Sequence, residues 1–194
     1  MINVAVFASG SGTNFQAIVD SIENGDLQAN LALLVCDKPG AYVIERAERA
    51  GVPTFVFSPK SYQNKVEFEN VILEKLMQSG VEFIVLAGYM RLIGDTLLSA
   101  YKEKMINIHP SLLPAFPGKD AIGQAFRAGV KETGVTIHFV DEGMDTGPII
   151  AQKGLQVKEN ETIESLQSRI HQIEHTFYPE TLNNLFKKMV KVRK

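Results

Sequence analysis

Short apolar runs alternate with amphipathic stretches along nearly the whole chain, and this alternation limits the possible folds most strongly. Residues 2–8 (INVAVFA) are rich in Val and Ile and are followed by glycines, a pattern typical of a buried parallel strand. The next stretch has apolar residues at positions 15, 18, 19 and 22, a helical spacing that stops at Asn24-Gly25. Strands that alternate with helices predict an α/β fold with a doubly wound, mostly parallel, Rossmann-like sheet.

The same alternation continues to the end of the sequence and predicts about seven strands with flanking helices. Further strands are predicted at 30–37, 54–58, 82–89 and 104–109, with one or two more within 134–141 and 147–157. Helices are predicted at 41–51, at about 61–79 and from Thr162 onward, the last one kinked or divided by Pro179. Because no repeat, low-complexity tract or linker interrupts the pattern, we expect a single domain over residues 1–194.

Composition excludes several classes of protein. Among 194 residues, 45% are hydrophobic and 22% are charged, which is typical of a globular protein, and the formal net charge is −2. A balance of this kind gives no reason to expect nucleic-acid binding, and the basic tail at 186–194 favours a solvated helix end over a binding arm. The single Cys36, the missing signal peptide and the lack of an 18-residue apolar run predict a cytoplasmic protein with no membrane partner.

The predicted fold indicates where a ligand would bind. In open α/β sheets, ligands bind beyond the carboxyl ends of the strands, near the point where the strand order reverses. Five polar or glycine-rich segments follow predicted strands and should therefore converge: Ser9–Asn14, Asp37-Lys38, Gly88–Arg91, Asn107–Pro117 and Asp141–Gly147.

The segment ASGSGTN (8–14) joins the first strand to the first helix and has two interpretations. Its glycines permit a tight turn, Thr13 or Asn14 can cap the helix, and the free N–H groups at a helix N-terminus can bind a phosphate monoester. No Gly-Lys-Ser/Thr follows, and Phe15 stands where a dinucleotide site has its third glycine. A glycine-rich turn with no ligand remains the other interpretation.

The segment INIHPSLLPAFPG (106–118) ends a predicted strand and enters a stiff, proline-rich loop. Asn107 and His109 are two residues apart, so their side chains point to the same face of the strand. With the carboxylate of Asp145 to orient the imidazole, they could stabilise the tetrahedral intermediate of an acyl transfer. No G-x-S-x-G nucleophile is present. A strand-end histidine bonded to backbone and an aspartate in a glycine-rich turn are the alternative.

The other histidines carry weaker signals. His138 lies inside a predicted strand, which favours a structural role. His171 and His175 stand four apart on one helix face, as in half of a zinc site, but no third ligand or nearby cysteine accompanies them. We therefore expect no metal.

Five segments together resemble the folate-dependent formyltransferases, in order and over nearly the whole chain. INIHPSLLPAFPG resembles the family's catalytic signature. The others are similar to its phosphate loop, folate segment, aspartate loop and C-terminal helix: VFASGSGTNFQAI (6–18), VLAGYMRLI (85–93), GVTIHFVDEGMDTGPII (134–150) and QIEHTFYPETL (172–182). The match is to the branch that acts in purine biosynthesis. We therefore expect neither the additional C-terminal domain of the transfer-RNA-formylating members nor the N-terminal regulatory domain of the deformylases.

The resemblance implies a site for each of two substrates. Asn107, His109 and Asp145 would be catalytic, and Gly12, Thr13, Asn14 and Glu174 would bind the amino ribonucleotide, with its phosphate on the first three. The residues implied for folate are Lys65, Met90, Arg91, Leu92, Ile93, Asn107, Val140 and Asp141. Lys65 stands where some relatives have Arg, which keeps the positive charge but loses bidentate geometry. Residues 1–100 would form the phosphate-binding half, and residues 101–194 the catalytic and folate-binding half.

The implied reaction moves a formyl group from the co-substrate 10-formyltetrahydrofolate to the amine of 5'-phosphoribosylglycinamide, through a tetrahedral intermediate. Two alternatives stay open at this point. A deformylase would use the same three residues with water as the nucleophile, and a catalytically silent module would only bind folate. The expected partners are these two small molecules, in a monomer or a homodimer.

Overall fold

The computed structural model describes residues 1–192 of the chain, and within that range it has seven strands and six α-helices. The strands are β1 Ile2–Ala8, β2 Ala29–Cys36, β3 Thr54–Val56, β4 Phe83–Leu86, β5 Met105–His109, β6 Glu132–Phe139 and β7 Ile149–Gln156. The helices are α1 Thr13–Glu23, α2 Tyr42–Arg49, α3 Lys65–Gln78, α4 Asp95–Ala100, α5 Ala121–Arg127 and α6 Ile163–Val192, and a 3-10 turn covers Pro59–Ser61.

All seven strands form one sheet in the order β3-β2-β1-β4-β5-β6-β7. The first five pair in parallel, whereas β6 pairs antiparallel with both β5 and β7. The chain builds outward from β1 in one direction through β2 and β3, and in the other through β4 and β5. This confirms the predicted doubly wound, mostly parallel α/β fold, and it places the reversal of strand order between β1 and β4, where a crevice opens.

The central strands β1, β4 and β5 are buried on both faces, which explains their continuous apolar sequences. In β1, Val4 and Val6 pack into a layer with α1 and α6, whereas Ala5 and Phe7 pack into the opposite layer with α3 and α4. Successive side chains of a strand point to opposite faces, so one seven-residue run contributes to both cores.

Helix α3 begins later than its periodicity predicts. The region from Ser61 was predicted as helix, but the 3-10 turn ends at Ser61 and α3 starts only at Lys65. Asn64 is the reason, because its extended backbone ends the loop and its side chain accepts a hydrogen bond from the Glu67 amide at 3.0 Å. The short helices α4 and α5, of 6 and 7 residues, were not predicted.

Pro179 does not divide the C-terminal helix, although its missing N–H group removes one hydrogen bond of the helix. The helix α6 runs continuously for 30 residues with Pro179 inside it. Buried Tyr178, Leu182 and Phe186 lie on both sides of the proline and pack on the sheet, and this packing holds the helix together. Residues 193–194 of the basic tail lie outside the described residues. No helix within residues 1–192 has the length and hydropathy required to cross a membrane.

Tyr178 ties α6 to the middle of the sheet, and its substitution should destabilise the protein. It is fully buried, and its hydroxyl donates to the carbonyl of Leu86 at 2.8 Å. Tyr178→Phe keeps the ring but removes this bond, so we expect the free energy of unfolding to fall by about 0.5–1.5 kcal/mol. Urea denaturation monitored by circular dichroism measures the change, and an unaltered midpoint would contradict this role of the hydroxyl.

Candidate active site

A cavity of about 640 Å³ opens at the carboxyl ends of β1, β4 and β5. It is bounded by the loop after β1, the segment after β4, the end of β5, the loop after β6 and one face of α6. The residues proposed from the sequence that line it are Gly12, Thr13, Asn14, Met90, Arg91, Leu92, Ile93, Asn107, His109, Val140, Asp145 and Glu174. Residues separated by more than 160 positions in the sequence therefore meet in one place, as the predicted fold requires.

His109 is held between two hydrogen-bond acceptors at the end of β5. Its Nε2 lies 2.9 Å from the carbonyl oxygen of Phe116, and its Nδ1 lies 3.4 Å from Oδ2 of Asp145. A neutral imidazole carries one N–H and can donate to only one of these oxygens, whereas the protonated ring can donate to both. The ring is 5% exposed, and these two contacts fix its orientation at the cavity wall.

Asp145 is fixed from several sides in the loop between β6 and β7. Its backbone is left-handed, with φ of 57°, and its Oδ2 accepts a hydrogen bond from the Gly118 amide at 2.8 Å. Burial raises the pKa of this carboxyl, but hydrogen bonds from His138 and Gly118 and the charges of His109 and His138 outweigh burial and lower the pKa below its ordinary value. Asp145 is therefore an anion at neutral pH.

His138 belongs to the same cluster, although its position in a strand favoured a structural role. Its Nδ1 donates to the Phe139 carbonyl at 2.7 Å, and its Nε2 lies 3.4 Å from Asn107 Nδ2 and 3.7 Å from Asp145 Oδ1. The antiparallel register pairs Asn107 with His138 directly across the sheet. Sequence reasoning missed this residue because the direction of β6 could not be read from its own residues.

The loop before α1 has the geometry of an anion site. Gly12, and not Thr13 or Asn14, is the N-cap, with φ of 74° and no side-chain cap bond. A Cβ at Gly12 would lie 2.4 Å from Val43 Cγ2, so only glycine fits. Within residues 1–192, the backbone N–H groups of Thr13 and Asn14 donate no hydrogen bond to a protein acceptor. They lie in the first turn of α1, at the positive end of the helix dipole.

Arg46 adds positive charge beside this loop. Its Nε donates to the carbonyl of Ser11 at 2.8 Å, and its Nη1 donates to Gln16 at 3.3 Å. The guanidinium therefore supports the loop from the α2 side while it brings a cation close to the free amides. Both effects favour a bound anion.

Glu174 projects from α6 into the cavity and is not the surface charge that its position among helical residues would indicate. The residue is 6% exposed, and its Oε2 accepts a long hydrogen bond, 3.4 Å, from Asn14 Nδ2. Burial raises the pKa of Glu174 to about 7, because the hydrogen bond from Asn14, which lowers the pKa, has a smaller effect than burial. A buried carboxylate with so few donors can accept further hydrogen bonds from a ligand.

The segment after β4 forms the opposite wall of the cavity. Met90 and Leu92 are exposed there, and Ile93 is buried. Two of the residues implied for folate do not line the cavity. Lys65 is exposed at the start of α3, and Asp141 turns its carboxylate to the Gly143 amide and the Thr146 hydroxyl within its own loop. Their contacts with folate stay predictions.

The two histidines of α6 face different cavities. His171 lines the cavity, whereas His175 lines a separate groove of about 700 Å³ between α1 and α6. Among the described residues, no group of three or more His, Cys, Asp or Glu could hold a metal ion. The groove is slightly larger than the cavity, but Asn107, His109 and Asp145 do not line it. We therefore do not assign the reaction to the groove.

The chain is similar to known proteins of one family. The family model described as formyl transferase matches residues 2–182. The chain is 62% identical over 185 residues to the phosphoribosylglycinamide formyltransferase of Bacillus subtilis (strain 168), covering 95% of both chains. It is 40% identical over 179 residues to the human trifunctional purine biosynthetic protein adenosine-3, covering 92% of this chain and 18% of that protein.

A solved structure extends the likeness to three dimensions. The crystal structure of glycinamide ribonucleotide transformylase 1 from Geobacillus kaustophilus is 66% identical and superposes with a TM-score of 0.94, covering 95% of this chain and 98% of that one. The family match over nearly the whole chain, the high identity and the shared fold lead to one conclusion. The chain belongs to the formyl transferase family.

Proposed function

We propose that the chain transfers the formyl group of 10-formyltetrahydrofolate to the amine of 5'-phosphoribosylglycinamide, a step of de novo purine biosynthesis. The observation that carries this proposal is the position of the cluster Asn107, His109 and Asp145 in the cavity. The cluster shares this cavity with the loop before α1, whose free amides suit a phosphate, and with the apolar side chains of Met90, Leu92 and Ile93, which suit a pterin. The names of the relatives describe formyl transfer to the same ribonucleotide.

The cluster can stabilise the charge that develops during transfer. The amine attacks the formyl carbon, a C–N bond forms, and negative charge develops on the formyl oxygen. The imidazolium of His109 and the amide of Asn107 stabilise that charge. Asp145, directly or through a water molecule, accepts the proton of the attacking amine and delivers it to the departing folate nitrogen as the C–N bond to folate breaks.

The remaining residues orient the two substrates around this cluster. The Gly12–Asn14 amides hold the ribose phosphate, and Glu174 accepts hydrogen bonds from the glycinamide end of the ribonucleotide. Residues 90–93 and Val140 contact the folate, with the apolar side chains among them against the pterin. The phosphate-binding half of the chain would then be residues 1–100, and the catalytic and folate-binding half residues 101–194, in a cytoplasmic monomer or homodimer.

A product assay separates this function from its rivals. The purified chain is mixed with 10-formyltetrahydrofolate, with and without 5'-phosphoribosylglycinamide, and formylated ribonucleotide and free formate are measured. We expect formylated ribonucleotide only when both substrates are present. Release of formate without the ribonucleotide would instead identify a deformylase, and binding without any product would identify a silent folate-binding protein.

The phosphate assignment predicts a bound anion in a particular place. A crystal grown in phosphate or sulfate should contain an anion on the amides of Gly12, Thr13 and Asn14, because these groups and the helix dipole attract negative charge. Refinement of the complex with 5'-phosphoribosylglycinamide should then show its phosphate replacing that anion. A phosphate located elsewhere in the ribonucleotide complex would overturn the assignment.

A further inference from the structure

Ser9, Asp37 and Arg91 form a hydrogen-bonded chain that the mechanism above does not use. They follow β1, β2 and β4, three strands that are adjacent in the sheet. The Ser9 hydroxyl donates to Asp37 Oδ1 at 2.5 Å, and Arg91 Nε donates to Asp37 Oδ2 at 2.7 Å. Asp37 is only 8% exposed, and each oxygen of its carboxylate accepts one of these hydrogen bonds.

Ser9 also holds the segment after β4 by its backbone. Its hydroxyl oxygen accepts a hydrogen bond from the Met90 amide at 2.9 Å, and its own amide donates to the carbonyl of Gly88 at 3.0 Å. The residue is buried, and the phosphate loop begins directly after it. Ser9 therefore joins the loop assigned to phosphate to the segment assigned to folate.

Arg91 is held by one nitrogen and keeps the rest of its fork free. The side chain is 40% exposed and lines the cavity, and no described residue accepts a hydrogen bond from its Nη1 or Nη2. A guanidinium has five N–H donors in one plane, and four of them remain for a ligand. Such a fork matches the geometry of a carboxylate.

We propose that Asp37 is a positioning residue for the folate substrate. It orients the guanidinium of Arg91 so that the free N–H groups meet a carboxylate of formyl folate, and through Ser9 it fixes the Met90 amide. The proposal rests on the proposed function, which supplies the substrate. Because the Arg91 side chain is ordered before binding, association does not have to immobilise it, and affinity increases accordingly.

The test measures binding directly, by calorimetry, for each substrate. Asp37→Asn keeps the shape of the side chain but has no charge and one acceptor oxygen instead of two, so it cannot accept from Ser9 and Arg91 on separate oxygens. We expect the Kd for a non-reactive 10-formyltetrahydrofolate analogue to rise by about 2- to 13-fold, the cost of immobilising one long side chain, while the Kd for 5'-phosphoribosylglycinamide stays unchanged. Glu45→Gln, which removes the exposed ion pair with Arg49, is the matched control and should alter neither Kd.

Two further measurements distinguish positioning from general damage. A folate analogue without its glutamate should bind Asp37→Asn and the unaltered chain equally, because the carboxylate that Arg91 would meet is missing. In the Arg91→Ala background, Asp37→Asn should add no further loss. Ser9→Ala removes the hydrogen bond to Oδ1 of Asp37, the oxygen that Arg91 does not contact. It should weaken the binding of the complete folate without weakening the binding of the ribonucleotide.

The outcomes that overturn the proposal are separable. Unchanged folate affinity in Asp37→Asn, or equal weakening of the folates with and without glutamate, would remove the positioning role and leave the proposed function intact. Weakening of both substrates together with a lower Tm would show a structural role only. If the unaltered chain bound no formyl folate, both the proposed function and this inference would be overturned.

Discussion

Replacing His109 or Asp145 by Asn is expected to lower kcat by at least about 10²-fold, with little change in the affinity for either substrate. Both residues are proposed to act on charge that develops only in the transition state, so their loss should affect the chemical step more than binding. His109 Nδ1 and Asp145 Oδ2 are 3.4 Å apart, so each variant also removes the partner of the other. Steady-state rates and separate binding titrations measure the two effects.

The double variant distinguishes a shared role from two independent ones. If the residues act as a unit, His109→Asn combined with Asp145→Asn should be about as slow as the slower single variant. Asp26→Asn, an exposed aspartate outside the cavity, is the control and should keep the parental rate. Near-parental turnover in either single variant would exclude that residue from the mechanism.

Glu174→Gln should weaken the binding of 5'-phosphoribosylglycinamide by about 10- to 150-fold and leave folate binding unaltered. The change keeps the size of the side chain but removes its charge, and a hydrogen bond to a charged group contributes roughly 1.5–3 kcal/mol. Only the ribonucleotide carries the amine that Glu174 is proposed to meet. Glu180→Gln, an exposed position on the same helix, is the matched control. Equal weakening of both ligands would indicate a damaged helix, and no weakening would contradict the assignment.

The same variant has an opposite effect on the stability of the unliganded protein. The pKa of Glu174 is raised to about 7 by burial, so between pH 4.5 and 7 the folded state binds more protons than the unfolded state. This group therefore lowers the free energy of unfolding as the pH rises through that window, by roughly 3 kcal/mol at pH 8. Glu174→Gln should remove this decrease. Urea titrations at pH 5 and pH 8 measure it, and a parallel pH dependence in both proteins would contradict the burial of the charge.

Much of the architecture follows from local sequence, because it depends on patterns within a few residues. Apolar runs such as 2–8 and helical spacings such as that of α1 predicted a doubly wound α/β sheet, which the structure confirms. The spacing of Asn107 and His109 placed both side chains on one face of β5, and both line the cavity. Residues at the ends of several strands were expected to converge, and they do.

Details that depend on neighbouring segments were not predictable in this way. Asn64 delays the start of α3. Its side chain accepts a hydrogen bond from the Glu67 amide and so caps the helix at this point, which prevents the helix from beginning a turn earlier. Pro179 lacks an N–H group but stays within α6, because Tyr178 and its neighbours pack on the sheet. For Pro179 a contact with distant residues decided the outcome, whereas the Asn64 cap is a local signal, three residues long, that apolar spacing alone does not contain.

The sequence by itself determined the fold class and the chemical groups available, since these depend on residue types and short spacings. Only the tertiary structure decided which groups meet. The antiparallel direction of β6 brings His138 to Asn107, the loop after β5 places the Phe116 carbonyl on His109, and the strand order joins Asp37 to Arg91. The residues of each pair are separated by 7 to 54 positions. Their contact requires the strand order and loop path of the whole chain, which no window of local sequence contains.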